Sequence, residues 1–185
     1  MRTFIAIDLS PEIKSRLTAL VERLAPLSCD IKWVRQDSMH LTLKFLGEVD
    51  DRQAALVEEL LRTIVPKYEA VPMTFKGTGM FPPGSKSPRV LWAGAEAGPS
   101  LVPLQEEVEG GCEKLGFSRE GRPFRPHLTL GRVKSPSGLG PVLREFEQSC
   151  DESFGEMLVR RLTFFQSRLR PGGAEYSVLK EFPLK

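Results

Sequence analysis

Residues 40–43, His40-Leu41-Thr42-Leu43, and residues 127–130, His127-Leu128-Thr129-Leu130, spell one tetrapeptide twice in a chain of 185 residues that holds only two histidines. Given one copy, the chance that the other histidine is followed by Leu-Thr-Leu is about one in a thousand or less, even with Leu among the commonest residues. The repeat predicts two related halves with one copy each.

In a strand, residues i and i+2 share a face. His40 and Thr42 therefore point one way while Leu41 and Leu43 point into a core, and the same holds for His127 and Thr129 against Leu128 and Leu130. Around the first copy, Met39 to Leu46 alternates as a strand that Gly47 ends. Around the second, Arg125 to Val133 does the same.

Working outward, Thr3 to Leu9 reads as a strand, and Ser10-Pro11 opens a helix with Ser as N-cap and Pro at its first position. Ile13, Leu17, Leu20, Val21 and Leu24 share one face of it, and Pro26 ends it. A short strand at Ile31 to Arg35 precedes the first motif. A second helix follows over 51–65, with Ala54, Leu56, Val57, Leu60, Leu61 and Ile64 apolar, before Pro66. The second half opens with a strand at Val71 to Gly77, a turn-rich loop from Phe81 to Pro88, and a strand from Arg89 to Ala93. Ser100 caps a helix carrying Leu101, Leu104, Val108, Cys112 and Leu115, closed by Gly116. A helix near Pro141 to Cys150 and strands at Glu156 to Phe165 and Glu175 to Leu179 finish the chain. No linker or low-complexity tract interrupts it, so the reading is a single domain over 1–185, α+β in class, with two similar halves that each lay helices on one face of a mostly antiparallel sheet.

Charge sets limits without choosing a function. Lys and Arg number 26 against 24 Asp and Glu, a net charge of +2. A nucleic-acid ligand is permitted, but attraction to phosphate must come from local clusters. The three cysteines, Cys29, Cys112 and Cys150, are widely spaced without a C-x-x-C pair and read as buried thiols of a reducing compartment. The N-terminus lacks the apolar stretch of a signal peptide and no segment is long enough to span a bilayer, so the expected location is cytoplasmic.

Two imidazoles facing one cleft suit proton transfer near neutrality, because the unperturbed pKa lies near 6.5. Hydrolysis of a phosphodiester needs one group to take a proton from water and another to give one to the departing oxygen, each worth about 10²–10⁴. The hydroxyls of Thr42 and Thr129 would donate to non-bridging oxygens. Arg132 supplies a nearby cation, although strict alternation sets it opposite Thr129. Its reaching the phosphate requires a bulge or twist, for which Gly131 is the expected cause. Arg122, Arg125 and Lys134 make this edge basic.

The chain resembles the 2H phosphoesterase superfamily, and within it the bacterial and archaeal RNA 2′,3′-cyclic phosphodiesterases, historically called 2′-5′ RNA ligases. Besides the two His-x-Thr-x motifs, the likeness rests on Phe4-Ile5-Ala6-Ile7-Asp8, Leu43-Lys44-Phe45-Leu46-Gly47, Arg89-Val90-Leu91-Trp92, Arg122-Pro123-Phe124-Arg125-Pro126-His127 and Gly173-Ala174-Glu175-Tyr176. It implies a two-lobed α+β fold with pseudo-twofold symmetry and a central cleft. By the same likeness His40 is the proton donor and His127 the acceptor, with the motif threonines and Arg132 gripping the phosphate. The implied reaction opens a 2′,3′-cyclic phosphate at an RNA end to leave a 2′-phosphate, with reversible 2′-5′ joining as an accompanying activity, no metal and no cofactor. The expected partner is RNA with a cyclic phosphate end, met by a monomer.

Other readings use the same residues. A metal site would need carboxylates beside the histidines, yet none lies inside either motif, and Glu48 and Asp50 sit past the strand end. A non-catalytic module that holds RNA ends needs cations and stacking surfaces but not two groups that titrate near neutrality. A phosphodiesterase of small cyclic or 2′-5′-linked nucleotides fits the motifs as well. Trp33, Trp92 and Phe81 could stack on a base, though such residues are more often core, and Arg160-Arg161 and Arg168-Arg170 read as solvated.

Overall fold

A computed structural model describes residues 1–170 and 173–185. Among the described residues nine strands build two antiparallel sheets, accompanied by four α-helices. The strands are β1 (Arg2–Asp8), β2 (Ile31–Trp33), β3 (His40–Glu48), β4 (Val71–Phe81), β5 (Val90–Ala97), β6 (His127–Val133), β7 (Ser153–Val159), β8 (Arg161–Arg170) and β9 (Gly173–Pro183). The helices are α1 (Pro11–Leu24), α2 (Asp51–Ile64), α3 (Leu101–Lys114) and α4 (Gly140–Gln148). One sheet runs β3-β1-β8-β9; the other runs β2-β6-β5-β4-β7.

The two orders superimpose as β3-β1-β8-β9 on β6-β5-β4-β7, leaving β2 as an extra strand beyond β6. The chain crosses between the sheets to achieve this. The first half contributes β2 to the second sheet, and the C-terminal β8 and β9 complete the first. Helices cross as well: α1 packs on β7 and α4, whereas α2 and α3 pack together against β9 and β3. Ile5, Ile7, Leu41 and Leu43 of one sheet and Leu91, Ala93, Leu128 and Leu130 of the other belong to one continuous buried cluster.

Local chemistry explains the helix ends. Ser10 accepts from the Ile13 amide with Pro11 at the first position, and Asp50 and Gln53 form a reciprocal capping box at α2. Ser100 stands at the N-cap of α3 without a side-chain hydrogen bond, against expectation, its backbone being helical there.

Four further expectations are corrected. Gly47 does not end its strand: it lies inside β3 at φ +77°, opposite Thr3, beside a bulge that its left-handed backbone accommodates. The single strand expected from Glu156 to Phe165 is two, β7 and β8, in different sheets with Arg160 alone between them. No Gly or Pro marks that crossing, so local sequence carries no break signal. The short strand at Ile31 to Arg35 stops at Trp33, and a 3₁₀ turn begins at Gln36. Of the cysteines only Cys112 is buried, its thiol pushed up to about 12 by that burial; Cys29 and Cys150 lie exposed in turns.

Candidate active site

The two motif strands occupy equivalent places, and their register is equivalent too. On β3, Thr42 pairs with Ala6 and Lys44 with Ile5, so Leu43 is skipped. On β6, Thr129 pairs with Trp92 and Gly131 with Leu91, so Leu130 is skipped. Each motif thus ends in a one-residue bulge, which shifts the alternation of everything beyond it. Past the bulges Phe45 pairs with Phe4 and Arg132 with Val90. Cross-strand partners share a face, so Phe45 joins His40 and Thr42, and Arg132 joins His127 and Thr129.

The bulge that Arg132 needs therefore exists, but it sits at Leu130 rather than being made by Gly131. Gly131 has a different reason to be glycine. A Cβ there would meet Ile31 Cγ2 at 2.7 Å and Trp33 Cε3 at 2.9 Å, so the missing side chain lets β2 close onto β6.

Each imidazole meets the backbone two residues before it. His127 Nδ1 lies 2.7 Å from the Arg125 carbonyl, two residues before it. A carbonyl can only accept, so Nδ1 carries the proton and Nε2 is left for the cleft. For His40 the corresponding acceptor is the backbone of Ser38, again two residues before. Their surroundings differ. His40 stacks on Phe4 at 4.6 Å between centroids, meets Tyr176 edge-on at 5.0 Å and reaches Phe165 at 6.0 Å. Phe4, Ala6 and Phe165 form a small buried cluster on this face, apart from the main core. Burial in it draws the His40 pKa from 6.5 down to about 4, against the opposing charge of Asp8. His127 is flanked edge-on by Phe81 at 5.3 Å and Trp92 at 6.3 Å.

The two sheets come together along their motif strands. Strands β3 and β6 touch. Burial raises the Tyr176 hydroxyl, while the charges of Arg2 and Arg132 pull it the other way, so Arg132 of the second sheet is felt at a ring packed against His40 of the first. Thr42 and Thr129 are half-buried and Arg132 is exposed. All five residues singled out from sequence thus lie on two faces, that of His40 and Thr42 on the first sheet and that of His127, Thr129 and Arg132 on the second. Trp92 and Phe81 line the second beside His127, whereas Trp33 packs with the core behind Gly131. Among the described residues no group of three or more His, Cys, Asp and Glu converges on a point that could hold a metal ion.

Sequence reasoning did not assign the aromatic seat of His40, nor a polar knot behind it. Lys44, turned into the core by the bulge, donates to Glu109 and to the Ser118 carbonyl at 2.6 Å. Glu109 also accepts from the Glu120 amide at 2.8 Å, and Gln105 donates to the carbonyl of the skipped Leu43 at 3.2 Å. Lys44, Glu109 and Gln105 are each at most 5% exposed. The knot ties the first motif strand to the segment leading into His127.

The family model for LigT-like phosphoesterases matches residues 7–92 and again 94–176, one match to each motif. The chain belongs to this family. It is 37% identical over 184 residues to an RNA 2′,3′-cyclic phosphodiesterase of Archaeoglobus fulgidus, covering 98% of this chain and 99% of that one. It is 39% identical over 181 residues to a protein of the same name from Thermotoga maritima, covering 98% and 94%. Among solved structures, TT0787 of Thermus thermophilus superimposes with a TM-score of 0.84 at 29% identity, covering 99% of this chain and 97% of that one. Escherichia coli LigT complexed with 3′-AMP superimposes with a TM-score of 0.79 at 26% identity over the same shares. The two-sheet α+β architecture expected of a LigT-like phosphoesterase is the one found.

Proposed function

We propose that this LigT-like phosphoesterase hydrolyses 2′,3′-cyclic phosphate ends of RNA to 2′-phosphomonoesters, with His40 and His127 as reciprocal acid and base. The observation that carries the reading is the equivalence of the two motifs. Each presents an imidazole with a backbone partner two residues before it, through Nδ1 in His127, and a hydroxyl two residues on. The names of the relatives supply the substrate.

Water attacks phosphorus as His127 Nε2 takes its proton, the bond from phosphorus to O3′ breaks, and His40 gives a proton to O3′. The product keeps its phosphate on O2′. Thr42 and Thr129 donate to the non-bridging oxygens, and Arg132 offsets the charge that builds there. In the empty cleft burial holds His40 neutral. A phosphate anion beside the ring favours the imidazolium, so His40 takes on its proton as substrate arrives. Arg122, Arg125 and Lys134, exposed around β6, give the RNA backbone a basic margin.

The test is to incubate the purified protein and EDTA with a short RNA ending in a 2′,3′-cyclic phosphate. Conversion to the 2′-phosphate is expected. A 3′-phosphate, or no conversion, overturns the reading.

A further inference from the structure

Strand β2 has no counterpart in the first sheet, and it sets Lys32 directly across from Arg132. The row continues to Val90, on the Trp92 face of β5, so Lys32 lies on the same cleft face as Arg132 and Thr129. Both cations are exposed, and neither forms an ion pair with a carboxylate among the described residues. The carboxylate just before β2, Asp30, lies opposite Lys134, whose amide donates to the Asp30 carbonyl at 2.7 Å.

Like charges directly across a strand pair destabilise it. Three cations nearby in the fold do have carboxylate partners, Lys14 with Asp8, Arg35 with Asp37 and Arg161 with Glu181, whereas Arg122, Arg125 and Lys134 around β6, like Lys32 and Arg132, have none among the described residues. Uncompensated repulsion between Lys32 and Arg132 is relieved by an anion. Lys32 stands one strand spacing, about 4.8 Å, outside Arg132, away from His127 and Thr129. That step outward puts it on the edge strand of its sheet.

We propose that Lys32 binds the internucleotide phosphate immediately upstream of the cyclic end, so that β2 makes the cleft a reader of RNA chains in preference to single nucleotides. This rests on the function proposed above, and deepens it by naming the part of the substrate that β2 meets. The contact is to the phosphodiester, so it is blind to base identity.

The experiment compares kcat/KM on a cyclic-phosphate-ended tetranucleotide with kcat/KM on a nucleoside 2′,3′-cyclic phosphate, for the wild type, Lys32→Gln and Lys32→Arg. Binding of a 3′-phosphate-ended tetranucleotide is measured across a salt series in parallel. Lys32→Gln should lower the ratio of the two kcat/KM values about tenfold, Lys32→Arg should hold it, and the salt slope for Lys32→Gln should flatten by about 0.7, the share of one contact to a single strand. An unchanged ratio with an unchanged salt slope overturns the assignment, as does an equal fall on both substrates, which would put Lys32 on the cyclic phosphate itself. Should the wild type turn over neither substrate, the proposed reaction fails while the salt slope still decides whether Lys32 holds a phosphate.

Discussion

Leu43 and Leu130 hold the same place in their strands: each is the residue that the neighbouring strand skips. The two bulges turn Phe45 and Arg132 onto the face of the histidines, an exposed aromatic on one side and a free cation on the other. Arg132→Ala should therefore lower kcat/KM on cyclic-phosphate substrates by about 10²-fold, with Arg132→Lys recovering part of it, since a lysine keeps the charge but not the planar fork. Steady-state kinetics on the two variants checks this.

Gly131 is where the bulge and β2 meet. Gly131→Ala would push a methyl against Ile31 and Trp33 and should destabilise the fold by about 1–3 kcal/mol. Thermal unfolding checks the loss.

The Lys44–Glu109 pair is buried and shared with the Ser118–Glu120 backbone. Breaking it from one side leaves a charge without its partner, so Glu109→Leu should destabilise by about 3–5 kcal/mol. Lys44→Met combined with Glu109→Leu should recover most of that stability while leaving the segment before His127 without its anchors. Denaturant titration of the single and double variants reads the first effect, and kcat of the double variant the second.

Stability should also depend on pH through His40. Its folded pKa of about 4 lies below the unfolded value of 6.5, so between these the unfolded chain binds more protons and stability falls as pH drops through that window. The loss is up to about 3 kcal/mol, complete below pH 4, and absent above pH 6.5. His40→Asn should flatten this dependence in unfolding curves taken from pH 7 to pH 4.

Much of the site was legible because strand alternation and a repeated tetrapeptide are local signals. His40, Thr42, His127 and Thr129 could be assigned to one face each from period alone. Arg132 could not, because the bulge falls at a leucine and nothing in Leu130 distinguishes it from a regular strand residue. The pairing of β8 with β1 and the passage of β2 into the other sheet were hidden for another reason: register between segments far apart in sequence is decided by tertiary packing, and Arg160 marks the crossing with no turn residue. The seat of His40 escaped for the same cause, since Phe4 and Tyr176 meet it from opposite ends of the chain.

The most direct test of reciprocal acid and base is a double-mutant cycle on kcat with a cyclic-phosphate-ended RNA. His40→Ala and His127→Ala should each cost about 10²-fold or more, and the double variant little beyond either single one, as for groups that act as a unit. Losses that multiply would mean two histidines working independently and would contradict the account.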